Sequence, residues 1–170
     1  MNRMEKAACF IGHRVIPVNE YEIIKEHLEN EIINIINQGV CHFFTSAALG
    51  FDILAAQTVL KLKEIYPDIK LTLILHCETP TKSWSEKNIK KFNLILNNAD
   101  NVEYMAKNYS TGCMYLRNQE LIDNSSFFLC FSKSAFGKTA HAIDYAHRKG
   151  LTVINLANFS KISGTQQGTL

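Results

Sequence analysis

Five stretches of this 170-residue chain carry side chains that could hold an anion or stack on a ring, and each follows a short apolar run. Gly12-His13-Arg14 combines a residue that lets backbone approach a ligand, an imidazole and a planar donor fork suited to phosphate or carboxylate. Ser46 to Asp52 is a loop of small residues ending in Gly50-Phe51-Asp52, and it feeds a helix start where backbone N–H groups and the helix dipole favour an anion. Asp52 there either complements the dipole or accepts hydrogen bonds from ribose hydroxyls. Tyr109 is a candidate for stacking on a base. Arg117-Asn118 lie on a helix whose Met114, Arg117 and Leu121 share one face, where an arginine either snorkels or meets an anion. Gly137-Lys138-Thr139 open a further helix and offer a second anion seat.

Other features are weaker. Ser132 to Thr139 imitates a P-loop, yet Ser132 replaces the first glycine and the following strand carries no acid for magnesium. Trp84 either stacks on a base or joins the core, and a lone tryptophan on an amphipathic helix favours the core. His141 and Asp144 resemble an acid–base pair, but Thr139, Ala142, Ile143 and Ala146 form the sheet-facing side, which leaves the pair outside. The five cysteines are odd in number and widely spaced, which points to reduced, mostly buried thiols in a cytoplasmic protein. No metal-ligand spacing is present, so neither a metal nor a cofactor is expected.

The elements that must position these residues alternate. Apolar runs at Ala7–Ile11, Val40–Thr45, Ile69–Leu75, Asn101–Met105, Phe127–Phe131 and Leu151–Leu156 read as strands. Helical periods fill Glu20–Gln38, with Asn19 as its N-cap, then Phe51–Ile65, Ser83–Asn98, Cys113–Ile122 and Thr139–Lys149. This pattern predicts an α/β, Rossmann-like three-layer sandwich: a mostly parallel sheet of about six strands with helices on both faces. One domain spans residues 1–157 and a polar tail spans 158–170. Ligands of such sheets bind beyond the strand carboxyl ends, where all five stretches fall.

Composition narrows the classes. Hydrophobic residues make up 46% of the chain and charged ones 20%, enough for a packed core. No apolar run is long enough to span a membrane, and the polar start shows no signal-peptide pattern. The net charge of +2 supplies no large field for a phosphate backbone, which weighs against nucleic acid.

In this order the pieces resemble the YpsA-like family of the SLOG superfamily, which includes the DprA and LOG branches. They are Phe10-Ile11-Gly12-His13-Arg14, Ala48 to Asp52 with Ala55-Ala56, Tyr66-Pro67, Trp84, Ala99-Asp100, Tyr109, Cys113-Met114, Arg117-Asn118, Ile122-Asp123, Gly137 to Ala140 and Tyr145-Ala146. The resemblance implies a bacterial Rossmann-like domain that binds nucleotides or nucleotide-derived ligands, as a sensor or processing domain, with homodimerisation as a family-level expectation. It places ligand loops on Gly12, His13 and Arg14, on Gly50 and Asp52, on Arg117 and Asn118, and on Gly137 and Thr139. This chain departs from the pattern at Ala47 and at Lys138, where glycine is usual. Aligning Thr139 with the LOG signature puts Ala142 at the catalytic glutamate, which argues against a LOG-type phosphoribohydrolase. Two alternatives remain: a hydrolase of an N-glycosidic or phosphoester bond, using Asp52 or Glu120, and a single-stranded DNA-binding module.

Overall fold

The computed structural model describes residues 6–75, 81–105 and 112–159. Tyr109 lies outside the described residues. Eleven elements alternate as expected: β1 (Lys6–Gly12), α1 (Tyr21–Asn37), β2 (Val40–Thr45), α2 (Phe51–Lys63), β3 (Lys70–Leu75), α3 (Glu86–Asn98), β4 (Asn101–Tyr104), α4 (Cys113–Asp123), β5 (Phe127–Phe131), α5 (Lys138–Arg148) and β6 (Thr152–Asn155). The sheet has six strands in the order β4-β3-β2-β1-β5-β6, and every pairing is parallel.

Chirality explains the layers. From β1 to β4 the chain steps one way across the sheet, and it then returns to the far side of β1 for β5 and β6. Right-handed crossovers place helices on opposite faces for opposite directions of travel. Accordingly α1, α2 and α3 pack in one apolar core, whereas α4 and α5 pack in the other. Successive strand residues alternate between the two, as the pleat requires. Ala8 and Phe10 of β1 face the first core; Cys9 and Ile11 face the second. In β5, Leu129 and Phe131 face the first, while Phe128 and Cys130 face the second. The reversal falls between β1 and β5, so the crevice opens there.

Helix α1 buries a stripe of Ile24, Leu28, Ile32 and Ile35, the 3.6-residue period made solid. Asn19 is not its cap. A turn hydrogen-bonds the Glu20 N–H to the Pro17 carbonyl at 2.9 Å, which makes Glu20 the residue before the helix and leaves Asn19 inside the turn. Helix α2 lies between its neighbours and is buried nearly all round, including Asp52. Ser85 caps α3 by accepting the Asn88 N–H, two residues later than the periodicity suggested. No described helix is long and apolar enough to cross a membrane.

Candidate functional site

Strand β1 ends at Gly12, level with Phe131 of β5, and the two following loops are tied together. The His13 N–H donates to the Phe131 carbonyl at 3.0 Å, and the Lys133 N–H donates to His13 Nε2 at 2.8 Å. Burial, and then the Lys133 charge, hold the imidazole below its ordinary pKa. His13 is therefore neutral, with its proton on Nδ1, and it braces one loop against the other.

Asp52 forms the floor of the crevice. It is 2% exposed. Its Oδ1 accepts the Gly12 N–H at 2.9 Å, and its Oδ2 accepts the Ser46 hydroxyl at 2.8 Å. Burial raises this carboxyl, while Arg117 and the two hydrogen bonds oppose that rise, and the balance puts it at about 7. Arg117 is buried too, and its Nη2 donates to Asn118 Oδ1 at 3.3 Å. The arginine on the apolar stripe does not snorkel: it is 4% exposed, and its charge acts on the buried Asp52 carboxyl.

Gly12, His13, Arg14, Ser46, Asp52, Arg117, Asn118, Gly137, Lys138 and Thr139 line one cavity of about 480 Å³. Ten of the twelve candidate residues thus share a single space, although up to 127 positions separate them in the chain. Trp84 lines it as well while standing edge-on to Phe92 at 5.5 Å, so the core and cavity alternatives both describe it. Ile11, Ala48, Ser83, Met114 and Phe136 complete the wall; Met114 and Ala48 entered the sequence reading only as a helix-face neighbour of Arg117 and as part of a small-residue loop.

Gly50 is not among the lining residues. It has φ +85°, and a Cβ there would stand 2.3 Å from the Arg14 carbonyl oxygen. Its role is to let the β2–α2 loop pass against the β1 loop. The start of α2 is likewise already engaged. The Phe51 N–H donates to the His13 carbonyl at 3.1 Å, and the Ile53 N–H donates to the Ala48 carbonyl at 3.1 Å. Together with the Asp52 carboxyl, this leaves α2 a poor phosphate seat. The start of α5, by contrast, presents Gly137, Lys138 and Thr139 to the cavity.

Both departures from the family pattern have local consequences. Ala47 has φ +52°, a left-handed conformation that explains why glycine suits the position. Lys138 sits at the cavity edge with its Nζ 3.0 Å from Met114 Sδ. Ala142 is buried in the second core, and His141 and Asp144 lie on the exposed side of α5. Among the described residues no three His, Cys, Asp or Glu side chains gather as a metal site.

Residue type alone did not single out Asn155. At the end of β6 it accepts the Ser132 N–H at 3.2 Å and the Ala157 N–H at 3.1 Å, and it donates to the Ser132 carbonyl at 3.0 Å. The only signal in the sequence is an asparagine closing an edge strand. Asn155→Ala is expected to cost about 1–3 kcal/mol, because it removes the partners of half-buried backbone groups. Urea denaturation checks this, and a midpoint equal to wild type would show that the clamp contributes nothing.

The comparisons with known proteins agree with this architecture. The family model described as YpsA, YspA SLOG family, matches residues 17–156. The UPF0398 protein BH1768 of Halalkalibacterium halodurans is 30% identical over 129 residues, covering 74% of this chain and 68% of the relative. A UPF0398 protein of Bacillus cereus is 28% identical over 132 residues, covering 76% and 72%. Among solved structures, DNA processing protein A from Helicobacter pylori, described for its single-stranded DNA binding mode, aligns with a TM-score of 0.65 at 16% identity, covering 94% of this chain and 73% of that one. The structural-genomics target TM1055 aligns at 0.54 and 16% identity, covering 87% and 72%. At such identities the solved likenesses show the fold alone.

Proposed function

We propose that this chain, which belongs to the YspA SLOG family, binds a nucleotide or a nucleotide-derived phosphorylated small molecule at the carboxyl edge of its sheet. The observation that carries the reading is the single cavity into which Arg14, Asp52, Arg117 and Thr139 converge. Its volume of about 480 Å³ lies within the usual range for small-molecule sites. The start of α5, with Lys138 and Arg14 beside it, supplies positive potential for a phosphate. Asp52, Ser46 and Asn118 offer both donors and acceptors to sugar hydroxyls. The described cysteines are free thiols, with Cys9, Cys113 and Cys130 buried and Cys41 half-buried, which fits a cytoplasmic protein.

Calorimetry and thermal shift with a panel of nucleoside phosphates, dinucleotides and ribose phosphates test the reading. At least one member should raise the melting temperature, and none doing so would overturn it. Arg14 is exposed. Arg14→Ala should therefore weaken binding about tenfold, the loss of one charge-assisted contact, without moving the melting temperature of the free protein. Unchanged affinity would remove Arg14 from the site. The same panel, followed by chromatography, reports any hydrolysis; turnover abolished by Asp52→Asn would make the protein an enzyme. Steeply salt-dependent affinity for oligonucleotides would instead favour single-stranded DNA.

A further inference from the structure

Phe136 is 85% exposed and also lines the cavity. Isolated apolar side chains on a surface are ordinary. This one differs because the backbone that carries it is pinned. Ser132 is held by Asn155 on both its N–H and its carbonyl. The Lys133 N–H is held by His13, and Lys133 Nζ is 2.6 Å from a Glu20 carboxylate oxygen. The Phe136 N–H itself donates to Ser134 Oγ at 3.1 Å. A loop fixed at these points presents a large ring that packs in neither apolar core.

We infer that the Phe136 ring is the platform on which the ligand's planar base stacks, and that it makes the cavity selective for base-bearing ligands over sugar phosphates. The inference rests on the nucleotide reading above and specifies it. Three observations favour Phe136 over Trp84 for this role. Trp84 is half-buried and already edge-on to Phe92. Among the described residues Phe136 has no ring partner of that kind, and it is open to solvent. It also immediately precedes Gly137, where α5 begins, so a base on the ring and a phosphate at the helix start stand next to each other. Covering an exposed ring with a base removes apolar surface from water on both partners and needs no rearrangement of the pinned loop.

The test measures adenosine and guanosine 5′-monophosphates and ribose 5-phosphate against wild type, Phe136→Ala, Phe136→Leu and Phe136→Tyr. Calorimetry gives the affinities, and the fluorescence of the single tryptophan, Trp84, reports occupancy of the cavity. Phe136→Ala should weaken the monophosphates by about 5- to 150-fold, the range for loss of one base–aromatic stack. Phe136→Leu should weaken them too, since bulk without a ring does not substitute, and Phe136→Tyr should bind as wild type. Ribose 5-phosphate should bind all four proteins alike. Equal monophosphate affinity in Phe136→Ala overturns the inference. So does an equal loss for ribose 5-phosphate, which would mean that the loop had moved. Tight ribose 5-phosphate binding with no gain from a base leaves the phosphorylated-ligand reading standing and removes only the stacking role. Binding of neither class removes both.

Discussion

Gly50→Ala is expected to leave little folded protein at 25 °C. Two independent obstacles act at this position. Its backbone has φ +85° and ψ −120°, a region that residues with a Cβ avoid. The added Cβ would also lie 2.3 Å from the Arg14 carbonyl oxygen and 2.5 Å from that of His13. Both of these oxygens belong to the backbone, so no side-chain rotation relieves the contact. The loops after β1 and β2 would have to part, breaking the Phe51 N–H bond to the His13 carbonyl. The cost is several kcal/mol, comparable with the roughly 5–15 kcal/mol that holds a domain of this kind together. Gly150→Ala is the control: φ there is +81°, and nothing lies within 4 Å of a Cβ. It should cost only about 1 kcal/mol, the backbone term alone. Far-ultraviolet circular dichroism and guanidinium denaturation separate the two. Equal midpoints for the two variants would show that the close approach of the loops carries no weight.

The second large effect belongs to two buried charged residues that line the cavity, Asp52 and Arg117. Arg117→Met should destabilise the protein above pH 7, by about 1.4 kcal/mol for each unit that the Asp52 pKa rises, because it removes the positive charge that opposes the burial penalty on this carboxylate. Without Arg117 the Asp52 pKa moves up from its value of about 7, so the penalty shrinks as the solution is acidified and the carboxyl takes a proton. The wild type has its own signature. The folded carboxyl, at about 7, binds a proton that an ordinary aspartate releases near 3.8. The stability due to Asp52 is therefore fully present below the unfolded pKa and is lost as pH rises through about 7. At 1.36 kcal/mol per unit the loss reaches roughly 4 kcal/mol at most. Asp52→Asn mimics the protonated acid: its carbonyl accepts from Gly12, and its amide donates to Ser46, whose hydroxyl accepts equally well. That variant should show a flatter stability profile between pH 5 and 8.5 and exceed wild type at the alkaline end. The double variant should recover part of the Arg117→Met loss, which is the coupling between the two sites. Urea denaturation at pH 5, 7 and 8.5 measures all four proteins. An unchanged slope in Asp52→Asn would mean that another group titrates.

These residues also show how far local signals reach. The apolar run Ala7–Ile11 announced β1, but it could not say that Phe10 faces α1 to α3 while Cys9 faces α4 and α5. Gly50 stands in a small-residue loop before a helix, and that pattern is shared by glycines that admit a ligand and glycines that admit another loop. Only the path of His13 and Arg14 distinguishes them. Asp52 read either as a dipole partner or, favoured by the small residues around it, as a hydroxyl acceptor. Its raised proton affinity follows from burial, which the charge of Arg117, 65 positions away, partly offsets.

The amino-acid order determined the elements, the parallel sheet and the set of residues that stand at strand ends, since hydrophobic period and capping are properties of neighbours in the chain. Strand order decided the rest. It alone puts β1 between β2 and β5, which brings His13 against Lys133 across 120 positions and closes one cavity around Arg14, Asp52, Arg117 and Thr139. Burial, proton affinity and close approach depend on such distant pairs, and no local window of sequence contains both members.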